Sequence, residues 1–224
     1  MEVIGVDLPL TPNPNEKEEK EMYLGRNSNF KVMKPDQMMD VGKSNSYIYI
    51  SDNSEHWHEY MEDIHLPFKK ADKVIQVAMN QIDLSKTQSN LINMTIILPT
   101  LYGPWQPENT FLYKCLSSRN QFPFDQYELE NKSDAIYSSD AAAAILEIAK
   151  LEPGIYQIQT DIKNHWSLLL KELGYEIIFE AGEMDYSCFP RNDVKKYQIK
   201  TKISPEVGIE RVKRHIRNRE IMGY

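Results

Sequence analysis

Short apolar runs that alternate with helix-forming segments are the feature that most restricts the fold of this chain. Segments of suitable composition and spacing predict helices at 16–22, 66–81, 109–118, 141–150, 165–173 and 207–219. The runs at 3–7, 30–33, 47–50, 94–98, 155–158 and 177–179 have the length and composition of buried strands. Strands and helices in this alternation favour an α/β domain with a largely parallel sheet.

Composition excludes several classes of protein. The 224 residues are 41% hydrophobic and 26% charged, which suits one compact domain with a sizeable core. A net charge of −7 argues against a nucleic-acid partner. No apolar run approaches the roughly 18 residues of a membrane span, and the first residues lack the basic region of a signal peptide. We therefore expect no membrane partner, and a homodimer is compatible with the sequence.

The two cysteines are too few to form a disulfide framework or a multi-cysteine zinc site. Cys115 lies on an apolar helix face and is expected to be a buried thiol, whereas Cys188 lies in a predicted loop. We expect no metal ion, and this use of cysteine predicts a cytoplasmic location.

Two segments resemble a known family. The sequence T-L-Y-G-P-W at 100–105 follows a predicted strand, and D-A-I-Y-S-S-D at 134–140 leads into a predicted helix. They are similar to segments of the extended short-chain dehydrogenase/reductase family, especially its nucleotide-sugar epimerases that act on UDP-glucuronate. The strands at 3–7 and 30–33 look like the second and third strands of that family. The resemblance implies a reduced Rossmann-like parallel sheet over about 1–100, and mixed core with a small substrate lobe over 101–224, in one compact unit.

The family's cofactor-binding segments have no counterpart in the sequence. Family members begin with a strand and a G-x-x-G-x-x-G turn, which binds the pyrophosphate of NAD at a helix N-terminus. The nine glycines never fall in this pattern. Residues 41–46 also lead directly into the strand at 47–50, where the family would interpose a strand with an H-L-A-A-like motif and a long helix. The sequence therefore predicts a protein that uses no cofactor.

The reactive positions also differ from the family's. In its Y-x-x-x-K frame, Lys69 is the lysine and His65, one helical turn earlier, replaces the tyrosine. The family's serine falls near Asp52, which Ser51 and Ser54 flank. A neutral imidazole can act as a base at pH 7, and a carboxylate can orient it. The alternative is that Asp52 and Ser54 cap the next segment, while His65 caps a helix and Lys69 is a solvated lysine.

The resemblance also implies that Thr100, Tyr102 and Trp105 line a substrate cleft, although an aromatic loop of this kind can equally pack against the core. Two arginines of the family are replaced by Ile97 and Ser133. The second of those arginines contacts the nucleotide phosphates in the family, so both losses weaken a nucleotide-sugar interpretation.

These departures predict an NAD-independent hydrolase on a short-chain dehydrogenase scaffold. Its substrate would be a small-molecule or carrier-bound ester or thioester acyl group in a biosynthetic pathway. His65 would be the general base and Asp52 would orient it. Two alternatives stay open. One is a non-catalytic ligand-binding or interaction protein derived from an epimerase. The other is a nucleotide-sugar epimerase or dehydratase whose glycine-rich segment comes from a partner chain.

Overall fold

Parallel strands dominate this structure, a computed structural model that describes residues 3–6, 14–33, 47–51, 71–79, 92–107, 110–117, 134–175 and 193–222. The strands are β1 (Val3–Val6), β2 (Phe30–Met33), β3 (Tyr47–Ser51), β4 (Lys73–Met79), β5 (Met94–Leu98), β6 (Thr100–Tyr102), β7 (Ala135–Tyr137), β8 (Gly154–Thr160) and β9 (Val194–Ile199). The helices are α1 (Pro14–Leu24), α2 (Phe111–Ser117), α3 (Ser138–Ile148), α4 (His165–Glu172) and α5 (Pro205–Met222).

A five-stranded sheet has the order β3-β4-β5-β8-β9, and every neighbouring pair in it is parallel. All five residues of β5 are buried at its centre. A strand of a parallel sheet is covered on both faces, which explains why β5 has a continuous apolar sequence rather than an alternating one. The predicted α/β class with a parallel sheet is confirmed.

The structure corrects the helix expected over 66–81. Lys73–Met79 forms β4, which lies between β3 and β5. Val74, Ile75 and Ala78 are buried there, and an almost continuous run of apolar residues suits a strand covered on both faces as well as it suits a helix. The three β-branched residues in this run favour the strand. The strands at 47–50 and 94–98 do share one parallel sheet as predicted, but β4 separates them.

Two smaller parallel sheets complete the strand pairing. β1 pairs with β2 across the intervening α1, which confirms the first two predicted strands. β6 pairs with β7. The sequence predicts no strand at the positions of β6, β7 or β9. The V-K-K-Y-Q-I sequence of β9 mixes partly buried and exposed residues, which is typical of an edge strand and gives a weak sequence signal.

Helix α3 is fixed at both ends by hydrogen bonds to other parts of the fold. The sequence predicts that Ser139 and Asp140 cap this helix, but it begins at Ser138 with no side-chain cap. The Asp140 carboxylate instead accepts hydrogen bonds from the backbone N–H groups of Lys202 and Ile203, at 2.9 and 3.1 Å. At the other end, the Lys73 ammonium donates to the carbonyls of residues 149 and 151. A cation here complements the negative end of the helix dipole.

The core has two parts. One packs α3 against the five-stranded sheet, and the other fills the space among β6, β7, α2, α4 and α5. The Phe111 and Trp166 rings stack in the second part with centroids 5.6 Å apart, and Cys115 is buried beside them, as predicted. Among the described helices, none is long and apolar enough to cross a membrane.

Candidate functional site

Most of the predicted catalytic residues fall where the structure gives no description. Ser51 is the last residue of β3, at the carboxyl end of that strand. Asp52, Ser54, His65 and Lys69 lie outside the described residues. Their assignment as a catalytic group therefore stays a prediction.

The two segments that carry the family resemblance lie side by side. β6 comes from 100–105 and β7 from 134–140, and they pair with Thr100 opposite Ala135 and Tyr102 opposite Tyr137. Gly103 then turns the chain away from β6. A Cβ atom at Gly103 would lie 2.3 Å from the Ser138 hydroxyl oxygen, so the glycine lets this turn approach the start of α3.

A buried polar network joins the ends of these strands; its members are Tyr102, Asp134, Thr160 and His165. The Tyr102 hydroxyl lies 3.4 Å from Nε2 of His165. On the other side of the imidazole, Nδ1 lies 3.4 Å from the Thr160 hydroxyl and 4.0 Å from the Asp134 carboxylate. His165 is fully buried, so each ring nitrogen faces a protein group rather than water.

Asp134 holds this network together. Its carboxylate accepts hydrogen bonds from the N–H of Ala135 at 2.8 Å, from the N–H of Thr160 at 2.9 Å and from the Thr160 hydroxyl at 2.6 Å. Asp134 directly precedes β7, and Thr160 ends β8. A single side chain thus ties a strand of the small sheet to a strand of the large one.

The electrostatics of the network favour neutral side chains at His165 and Tyr102. Burial lowers the pKa of His165, and the nearby charge of Asp134 offsets only part of this effect. Burial also raises the pKa of Tyr102 well above its usual range, with a further contribution from the charge of Asp140. Both groups are therefore neutral at pH 7, and both side chains are shut off from solvent, which suits a structural hydrogen-bond network.

Sequence reasoning missed this network. Thr160 and His165 were not singled out, and Asp134 was noted only as part of a motif. A signal was present, because His165 falls on the same side of α4 as the buried Trp166, Leu169 and Leu170. A histidine in an otherwise apolar stripe needs hydrogen-bond partners in the core.

The three predicted substrate-lining residues divide into two groups. Thr100 and Tyr102 are buried, whereas Trp105 is half-buried in the turn after β6. The centroid of the Trp105 ring lies 4.5 Å from that of the His215 ring and 6.1 Å from that of the Tyr23 ring. The Lys20 ammonium and the Arg219 guanidinium lie 5.8 and 5.6 Å from the Trp105 centroid. We call these five residues the Trp105 cluster.

Helix α5 passes so close to Tyr102 that only glycine fits at position 208. A Cβ atom there would lie 2.7 Å from the Tyr102 ring and 2.9 Å from its hydroxyl. We expect Gly208→Ala to lower the free energy of unfolding by about 1 kcal/mol, because overpacking outweighs the gain in helix propensity. Urea denaturation measures this difference. Val207→Ala, on the exposed side of α5, is the control and should change stability by less than about 0.5 kcal/mol. A Gly208→Ala variant more stable than the wild type would contradict the packing.

Metal binding has no support in the described residues, where histidine, cysteine and carboxylate side chains form no group of three or more that could hold an ion.

No protein-family model matches the sequence, and no curated protein matches it.

Several solved structures share the fold over nearly the whole chain. A UDP-glucuronic acid 4-epimerase from Bacillus cereus, in complex with UDP-glucuronic acid and NAD, matches with a TM-score of 0.57 at 15% identity, over 97% of this chain and 91% of the epimerase. A dTDP-glucose 4,6-dehydratase from Bacillus anthracis, in complex with NAD, matches with a TM-score of 0.58 at 11% identity, over 98% of this chain and 89% of the dehydratase. The enzyme WbmF from Bordetella bronchiseptica, in complex with NAD+ and UDP, matches with a TM-score of 0.52 at 13% identity, over 99% of this chain and 86% of WbmF.

This finding overturns the prediction of an NAD-independent hydrolase. The similar structures are NAD complexes of an epimerase, a dehydratase and a UDP-binding enzyme. The hydrolase prediction rests on the lack of a glycine-rich pattern in the sequence, whereas the similarity of fold extends over nearly the whole chain. The chain has a Rossmann-like α/β fold, which it shares with these solved enzymes over nearly its whole length.

Proposed function

We propose that the protein is a nucleotide-sugar epimerase or dehydratase. The observation that carries this proposal is the similarity of fold along almost the entire chain to enzymes of that kind. The pairing of β6 with β7 supports it, because the two segments with family resemblance form one structural unit.

The turn that follows β6 is the described element best placed to contact such a substrate. In parallel α/β sheets, ligands bind beyond the carboxyl ends of strands, and Trp105 lies just beyond the carboxyl end of β6. The polar network holds Tyr102, and through it this end of β6, in one position. A half-buried indole at this place supplies an apolar surface for a sugar or base ring.

NAD is bound by the similar enzymes, so its fit to this chain matters. A dinucleotide pyrophosphate needs a glycine turn that opens a helix, where the backbone can approach the phosphates. At Gly103 and Gly208 that space is already filled by Ser138 and Tyr102, and at Gly5 it is filled by Phe30. The other described glycines do not open a helix, because Gly25 and Gly174 follow helix ends and Gly154 begins β8. The described residues therefore do not form a pyrophosphate site. We propose that a partner chain supplies the glycine-rich segment.

Isothermal titration calorimetry with UDP-glucuronic acid, UDP and dTDP-glucose tests the proposal. We expect at least one of these ligands to bind, and Trp105→Ala to weaken that binding about tenfold, which is about 1.4 kcal/mol. Leu168→Ala, on the exposed side of α4, is the control and should bind like the wild type.

Turnover is then measured by nuclear magnetic resonance of the sugar, with NAD and cell extract that contains the partner chain. Conversion to an epimer or to a dehydrated sugar supports the enzyme. Absence of binding by all three ligands would contradict the proposed function, whereas binding without conversion would favour the non-catalytic alternative.

A further inference from the structure

Helix α1 lacks the apolar face that normally holds a surface helix in place. Its sequence is P-N-E-K-E-E-K-E-M-Y-L, in which the apolar residues fall together at the end. Met22, Tyr23 and Leu24 are all exposed, by 56%, 63% and 40%. A helix that buries no apolar stripe gains little stability from packing. Its position must depend on other contacts.

Those contacts meet at the Trp105 cluster. Glu19 pairs with Nε of Arg219 at 3.1 Å, and both side chains are shielded, with exposures of 13% and 12%. Lys20 and Tyr23, also from α1, approach the Trp105 ring, as do His215 and Arg219 from α5. Ion pairs and cation–π contacts of this kind are individually modest, and the ion pair is weakened by salt.

The topology lets this unit move without breaking the main sheet. β1 and β2, which flank α1, form a two-stranded sheet that shares no strand with the five-stranded one. A two-stranded unit has little stability of its own and belongs to the part of a protein that opens first.

The backbone of Trp105 fits the same interpretation. Its φ angle is +67°, in the left-handed region that bulky residues rarely adopt. Such a conformation persists only where surrounding structure fixes it. In this protein the contacts on the Trp105 ring come from both α1 and α5.

We propose that α1 is a strap that closes on the Trp105 cluster and opens together with β1 and β2 while the rest of the fold stays intact. The Glu19–Arg219 ion pair holds α1 in the closed position. The strap goes beyond the proposed function and does not depend on it. When it is closed, it covers the ring of Trp105, so its opening controls access to the turn after β6.

Hydrogen–deuterium exchange of the whole chain, read by mass spectrometry without any ligand, tests the strap. In Glu19→Gln and Arg219→Ala, we expect amides of residues 18–24 and 30–33 to exchange at least fivefold faster, and those of 94–98 to keep their wild-type rate. Arg217→Ala is the matched control, because it removes an exposed arginine from the same helix, and it should leave all three segments unchanged.

A rise in salt from 0.05 to 0.5 M should accelerate exchange of 18–24 in the wild type as well, since it screens the ion pair. If exchange rises equally in 18–24 and 94–98, the protein opens as a whole and the strap is wrong. If neither variant nor salt changes exchange of 18–24, the ion pair does not fasten α1 and the proposal is also overturned.

Discussion

Asp134→Ala is expected to lower the free energy of unfolding by about 2–3 kcal/mol, because a largely buried polar network loses its central acceptor. The substitution leaves three donors without their partner: the N–H groups of Ala135 and Thr160 and the Thr160 hydroxyl. Ala135 is fully buried, so its N–H group has little access to water as a substitute for the lost acceptor. Urea denaturation followed by circular dichroism measures the change.

Two further variants show whether the network causes this loss. Asp134→Asn keeps one acceptor oxygen at the same place and should recover part of the stability. Asp161→Ala is the matched control, because Asp161 is an exposed aspartate close by, and its carboxylate also accepts hydrogen bonds, among them one from the N–H of Thr201 at 2.9 Å. If Asp134→Ala proves no more harmful than Asp161→Ala, the network contributes little to the fold.

Acid is expected to destabilise the protein below about pH 6.5, through His165. Burial lowers the pKa of His165 in the folded state, so the unfolded chain binds the proton more readily. The contribution of neutral His165 to stability is therefore fully present above the unfolded pKa of about 6.5. It is lost as the pH falls from there through the folded pKa. The slope for one histidine is at most about 1.4 kcal/mol per pH unit. Urea titrations between pH 7.5 and 5 measure it.

The control must separate His165 from His215, whose pKa is also lowered, first by burial and then by the positive charges of Arg219 and Lys20. His165→Gln should make the dependence on pH less steep, at some cost in stability at pH 7.5. His215→Gln should remove only the part of the pH dependence of stability that His215 itself causes. A wild-type protein that is equally stable at pH 7.5 and pH 5 would show that neither histidine is held neutral by the fold.

The sequence predicted the strands whose signal was local and unambiguous. Met94–Leu98 is a continuous apolar run that ends at a proline, and it forms the buried centre of the sheet. The same kind of run in Lys73–Met79 also fits a helical spacing, so the sequence predicts a helix where the structure has a strand. Only the tertiary structure decides between the two, since a strand covered on both faces loses the alternation that identifies it.

The polar network could not be predicted because its members come from separate parts of the chain. Tyr102, Asp134 and His165 meet only after β6 pairs with β7 and α4 packs beneath them. The function was predicted wrongly for a related reason. A few cofactor-binding residues decide the chemistry of a site, whereas many core residues decide the fold. The lack of the family's cofactor-binding residues in the sequence therefore says little about its fold.

The close approach of Gly103 to Ser138 has a consequence for how this sequence can change over evolutionary time. The space that a side chain at 103 would need is occupied by the hydroxymethyl group of 138, although 35 positions separate the two along the chain. A larger residue at 103 becomes acceptable only once position 138 has lost its side chain, and even then the backbone at 103 favours glycine. Drift at these two positions is therefore coupled in one direction: in diverging descendants of this protein, position 103 should depart from glycine only where position 138 has lost its side chain.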